Sequence, residues 1–309
     1  MRFAIVGAGG LGGYYGARLA QAGHDVVFIA RGAHLEAIRK DGLRVHSPLG
    51  DAHLKKVNAT NDPREVGPVD VVVVAVKTWQ VADAAREMRP MVKADTIVVP
   101  FLNGVEAPDA LAEIVGAGHV LGGLSKVFSL IEAPGVIRHF NPGAYVEIGE
   151  LGGGLSERVE RLRVAFEKAG AQAKASADIR TELWKKLLTV SSWAGLGALA
   201  RSPMGVLRAM PETHALIDRA MDEGIAVGAR RGYPITPAYK VELWNFYEAM
   251  PADATASMQR DLMAGKPSEL DAWNGAIVRF GMETGVETPV HTFTYHALLP
   301  IERRARGQI

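Results

Sequence analysis

The chain has 309 residues, 48% apolar and 22% charged, the balance of an ordinary globular protein with length for two domains. A formal net charge of +1 without long Lys/Arg runs excludes the clustered basic face that nucleic acid or an anionic membrane requires. With no cysteine, disulfides, thiolate nucleophiles and cysteine-ligated zinc or iron–sulfur centres are excluded too.

The apolar start, MRFAIV, is broken by glycines, and no apolar stretch of about 20 residues follows. The expectation is a cytoplasmic protein with neither signal peptide nor membrane span. Residues 2–6 read as a strand and 11–22 as a helix with Leu11, Tyr15, Leu19 and Ala22 on one stripe. A second strand spans 24–30, and a helix spans 34–40. The run DVVVVAV at 70–76 is nearly all β-branched, as in a central strand buried on both faces, and 96–101 is similar. Between 120 and 149, short alternating runs with Pro/Gly turns predict antiparallel strands that finish the sheet. Residues 156–169 form a helix with Ser156 as N-cap.

After Ala177 the strand signal ends. Helical periodicity occupies 178–199, 210–231, 237–249 and 270–284, separated by Pro/Gly breaks. The fold class is therefore α/β: a Rossmann-like dinucleotide-binding domain over 1–175, then an all-helical domain over 176–309.

Gly7, Ala8, Gly9, Gly10, Leu11 and Gly12 make a G-x-G-x-x-G between the first strand and first helix. The first glycine permits a tight turn, the second lets a pyrophosphate approach the backbone, and the third lets helix and strand pack closely. Phosphates then meet the free N–H groups of the helix start. Sites for NAD usually carry Asp or Glu at the end of the second strand, but here Arg31 follows and the first carboxylate is Glu36. A guanidinium can hold a 2′-phosphate by a bidentate contact, so NADP(H) is the expected cofactor, the bland alternative being a solvated Arg31. Lys77 follows the 70–76 strand and Asn103 follows the 96–101 strand. Both are candidates for the ligand crevice beyond the strand ends, or simply loop residues.

These residues, with VKTWQ at Lys77, N-G-V at Asn103, ELWKKL around Lys186 and the 256–275 stretch ASMQRDLMAGKPSELDAWNG, resemble the ketopantoate reductase (2-dehydropantoate 2-reductase) family over essentially the whole chain. The resemblance implies reduction of a 2-keto acid by NADPH in the cleft between the two domains, within pantothenate and coenzyme A biosynthesis. It implies Lys186 and Glu269 as catalytic, and Asn103 and Ser257 as substrate-binding. The glycine turn, Arg31, Lys77, Asn103 and Glu269 would bind the cofactor.

The chemistry is coherent without the family. Hydride addition turns a ketone into an alkoxide, which needs positive charge and a proton, and a lysine ammonium supplies both. A nearby carboxylate would keep that lysine charged. Lys186 stands four residues from Glu182, so an ordinary ion pair is an alternative, and only the resemblance selects it over Lys185.

The chain departs from the family where amides are usual. Val190, Ala194 and Ala254 stand in place of asparagines, Leu102 in place of a glutamine and Ser268 in place of a threonine. Asn245 and Asn274 are the only asparagines after Ser176, with Ser191 and Ser192 as conceivable substitutes. A pocket lined by Val and Ala discriminates less strongly than one built to pair a hydroxyl. A more apolar 2-keto acid is accordingly the alternative substrate. The rivals are another dehydrogenase of this architecture and a catalytically silent NADP(H) sensor. No metal site, nucleic acid or membrane partner is expected; a homodimer is left open.

Overall fold

The computed structural model describes all 309 residues. Strand β1 (Arg2–Val6) leads through helix α1 (Gly10–Gln21) to β2 (Asp25–Ile29) and α2 (Gly32–Asp41). Three short strands follow: β3 (Leu43–His46), β4 (Ala52–Leu54) and β5 (Asn58–Thr60). The Val-rich β6 (Val69–Val74) and β7 (Val92–Pro100) flank α3 (Val81–Glu87). Five of these strands form a parallel sheet in the order β5-β2-β1-β6-β7.

Alternation explains why these strands read as continuous apolar runs. Ala4, Val6, Val27, Ile29, Val72 and Val74 enter one core cluster. Their neighbours Phe3, Ile5, Val26, Phe28, Val71 and Val73 enter the cluster on the opposite face. The register aligns Val6 with Ile29 and Val74, and Val74 with Pro100. The segments leaving β2, β1, β6 and β7 therefore start level at one edge.

The stretch that was expected to finish this sheet forms two others instead. After α4 (Ala107–Val115) come β8 (Leu121–Lys126), β9 (Ser129–Ala133), β10 (Val136–His139) and β11 (Tyr145–Glu150). Helix α5 (Glu157–Lys168), capped by Ser156, and β12 (Gln172–Ser176) follow. The sheet β12-β11-β8 meets β7 only through an isolated bridge, Val98 to Val120. Strands β9 and β10 join β3 and β4 in a separate sheet, with β10 parallel to β3. Alternation identifies a strand but not its partner, and β3 and β4 are too short and polar to announce themselves.

The remaining elements are helical: α6 (Ile179–Ala200), α7 (Met204–Ala209), α8 (Pro211–Arg230), α9 (Tyr239–Glu248), α10 (Ser257–Met263), α11 (Ala276–Thr284) and α12 (Pro289–Ala305). A π turn, Asp271–Gly275, precedes α11. Trp184, Leu188, Tyr247, Trp273 and Ile277 centre their core. The buried Glu223 carboxylate accepts the N–H groups of Val290 and His291, offsetting the unpaired donors at the start of α12. No helix is long and apolar enough to cross a membrane. By internal contacts the chain divides into residues 1–102 with 106–182, and 103–105 with 183–309.

Candidate active site

In the first unit, the three motif glycines meet different surroundings. Gly7 has φ +98°, and a Cβ there would lie 2.7 Å from the Ala75 carbonyl oxygen. On Gly12 a Cβ would lie 2.1 Å from the Gly7 carbonyl oxygen, so this position is closed by packing. Around Gly9 nothing lies within 4 Å of the same point. The backbone is thus open to an approaching group only where the motif would receive a phosphate. Helix α1 starts there with no side-chain cap and no acidic residue in its first turn, leaving N–H groups and dipole for an anion. The residues present fit a dinucleotide pyrophosphate.

His34 holds this turn from behind, a role without any sequence signal. Its Nδ1 accepts the Gly135 N–H at 3.1 Å, so Nε2 carries the proton and donates to the Ala8 carbonyl at 2.9 Å. Burial pushes the imidazole below its ordinary range, and the bond to Ala8 only partly opposes this.

Arg31 directly precedes α2 and is exposed. Its Nη2 donates to Glu87 Oε2 at 2.7 Å. Lys77 is exposed three residues beyond β6, its ammonium 5.9 Å from the centre of the Trp79 ring and its backbone N–H donating to Gln80 Oε1.

In the second unit, Asn103 Nδ2 donates to Glu269 Oε2 at 2.9 Å. Gly104, at φ +88°, makes the turn after Asn103, where an L side chain would be strained. Glu269 is buried, and the backbone beside it is anchored. Glu302 accepts the Ser268 N–H at 3.0 Å and the Ser268 hydroxyl at 2.5 Å. Arg306 then bridges the Glu302 carboxylate and the Ser268 carbonyl. Ser268, the residue that departs from the family threonine, thus retains a hydroxyl that works structurally.

Lys186 is half-buried on α6. Its neighbour Lys185 sits over the Tyr239 ring, 5.6 Å from its centre, and Tyr239 donates to the Lys185 carbonyl. Ser257 is exposed at the first position of α10.

Val190 and Ala254 pack against the helical core, and Ala194 is wholly buried within it. Ser192 donates to the Leu188 carbonyl in its own helix, and the buried Ser191 hydroxyl has no hydrogen-bond partner. Asn274 is buried too, donating to the Ser191 carbonyl.

The chain is similar to known proteins along nearly its whole length. Residues 3–153 match the family model described as ketopantoate reductase PanE/ApbA, and 178–302 match its C-terminal counterpart. A 2-dehydropantoate 2-reductase of Nostoc is 33% identical over 314 residues, covering 100% of this chain and 98% of that protein. The uncharacterized oxidoreductase YkpB of Bacillus subtilis is 30% identical over 295 residues, covering 96% and 97%. The crystal structure of a PanE/ApbA family ketopantoate reductase from Ralstonia eutropha superposes with TM-score 0.91 at 32% identity, covering 99% and 100%.

Proposed function

Because this chain belongs to the ketopantoate reductase family of oxidoreductases acting on CH–OH groups, we propose that it reduces ketopantoate to pantoate with NADPH, a step of pantothenate and coenzyme A synthesis. The observation that supports this most is the hydrogen bond within the second unit between Asn103 and the buried Glu269 carboxylate, which brings together two residues matched to the family's site. The glycine turn and Arg31 hold the pyrophosphate and the 2′-phosphate, with Lys77 as a further cationic contact.

When bound, the reduced nicotinamide supplies a hydride to the carbonyl carbon of the substrate. Lys186 Nζ meets the negative charge that develops on the carbonyl oxygen and gives it a proton, so the ketone leaves as an alcohol. Glu269, oriented by Asn103, accepts a hydrogen bond from the substrate hydroxyl. Ser257, at the start of α10, donates to the substrate carboxylate.

A second reading has its own observation. Val190 and Ala254, only partly buried against the helical core, offer no hydrogen bond to a hydroxylated substrate. That favours a more apolar 2-keto acid. Initial rates of NADPH oxidation with ketopantoate beside branched, aromatic and short 2-keto acids decide between the two. The highest kcat/KM on ketopantoate supports the first reading. A different acid preferred by more than about tenfold, 1.4 kcal/mol in transition-state binding, selects the second. Tight NADPH binding without turnover of any acid would make the protein a sensor.

A further inference from the structure

We propose that Glu87 determines cofactor specificity: its carboxylate occupies Arg31 and competes with the 2′-phosphate, setting how strongly NADPH is preferred over NADH. The inference rests on the reading of Arg31 as the 2′-phosphate ligand.

The two residues are 56 positions apart, and Arg31 Nη2 donates to Glu87 Oε2 at 2.7 Å. Arg31 lies in the segment leaving β2, and Glu87 in the segment leaving β6. Those strands flank β1, which leads into the glycine turn. The ion pair therefore ties together the segments from both neighbours of the phosphate-binding strand.

The position of Nη2 matters. A guanidinium offers two bidentate edges, Nε with Nη2 and Nη1 with Nη2, and Nη2 belongs to both. A carboxylate on Nη2 takes one hydrogen from one edge and leaves the other edge usable. A dianionic phosphate arriving at the second edge is brought close to a like charge. Whether the carboxylate stays or is displaced, its charge disfavours the phosphorylated ligand and is indifferent to a ribose hydroxyl.

Helix stability does not explain Glu87. It is the last residue of α3, where a negative charge meets the negative end of the helix dipole. Arg86, its neighbour, pairs instead with Asp83. Arg31 is the cation that offsets the Glu87 charge. Both side chains are well exposed, 66% and 45%, so substitution leaves the core untouched.

Fluorescence titration of NADPH and NADH against wild type, Glu87→Gln, Glu87→Asp, Arg31→Ala and the double variant Arg31→Ala/Glu87→Gln tests this. Glu87→Gln should bind NADPH about two- to fivefold more tightly, the scale of an exposed ion pair, with NADH affinity unchanged. Glu87→Asp, which keeps the charge, should return towards wild type. In the Arg31→Ala background the Glu87→Gln gain should vanish. An unchanged NADPH/NADH ratio in Glu87→Gln, or weaker NADPH binding, overturns the role of Glu87 when Arg31→Ala still loses NADPH far more than NADH. Equal loss of both cofactors in Arg31→Ala overturns the Arg31 reading itself, and this inference with it.

Discussion

Asn103 and Glu269 are 166 residues apart in the chain, yet the amide of one donates to the carboxylate of the other at 2.9 Å. A buried carboxylate is costly without a donor, and Asn103 is the donor this one has. Replacing it with Ala should lower kcat/KM about tenfold or more, the rate equivalent of one lost charge-assisted hydrogen bond. Asn103→Asp should do worse. Two adjacent carboxylates cannot both ionise easily, so a new ionisation above the ordinary carboxylate range should enter the pH–rate profile. A wild-type rate and profile in Asn103→Asp would remove this contact from the active site.

The glycine turn predicts opposite consequences for two chemically identical substitutions. Gly12→Ala places a Cβ 2.1 Å from a backbone oxygen and should cost about 2–3 kcal/mol of stability, visible as a lowered denaturant midpoint. Gly9→Ala meets nothing within 4 Å and should leave the midpoint unchanged while weakening NADPH binding. Equal stability loss in both would show that Gly9 serves folding rather than the ligand.

Glu302 anchors the backbone beside Glu269 through Ser268 and Arg306. Glu302→Gln removes the buried carboxylate that accepts from Ser268 and Arg306, a loss costing about 2–4 kcal/mol. Chemical denaturation should record that loss, and kcat should fall with it because Glu269 is less well held. Stability lost with kcat retained would confine Glu302 to folding.

The His34 contact gives a pH prediction with a definite sign. Burial lowers its folded-state pKa below the ordinary value of 6.5. Below that pH the unfolded chain binds the proton and the folded chain does not. Its stabilising contribution is complete above about pH 6.5 and is lost as pH falls towards the folded-state value. Protonation would also end the acceptance of the Gly135 N–H. The melting temperature should therefore decline on acidification from pH 7 to 5, and less steeply in His34→Gln. Parallel slopes for the two proteins would contradict it.

The first strands and the glycine turn were legible because β-branched density and glycine spacing are local signals. The α/β class and the helical C-terminal half followed from the same periodicities. The partners of β9 and β10 were not legible, since pairing with β3 depends on tertiary placement. Neither were the bonds from Asn103 to Glu269 or from Arg31 to Glu87, which join residues far apart in the chain. Ser191 and Ser192 were open questions for a related reason: a helical side chain's direction depends on what packs around it, and both hydroxyls turned out to be buried.

The proposed role of Lys186 is to drive a reduction by NADPH. Its direct test is the decay of NADPH absorbance with the best-used 2-keto acid, in wild type and Lys186→Ala, beside NADPH binding to both. Wild type should consume NADPH steadily, and the variant should show a rate constant lower by about a thousandfold at nearly equal NADPH affinity. Undiminished turnover in Lys186→Ala, or no NADPH consumption by wild type with any 2-keto acid, would contradict it.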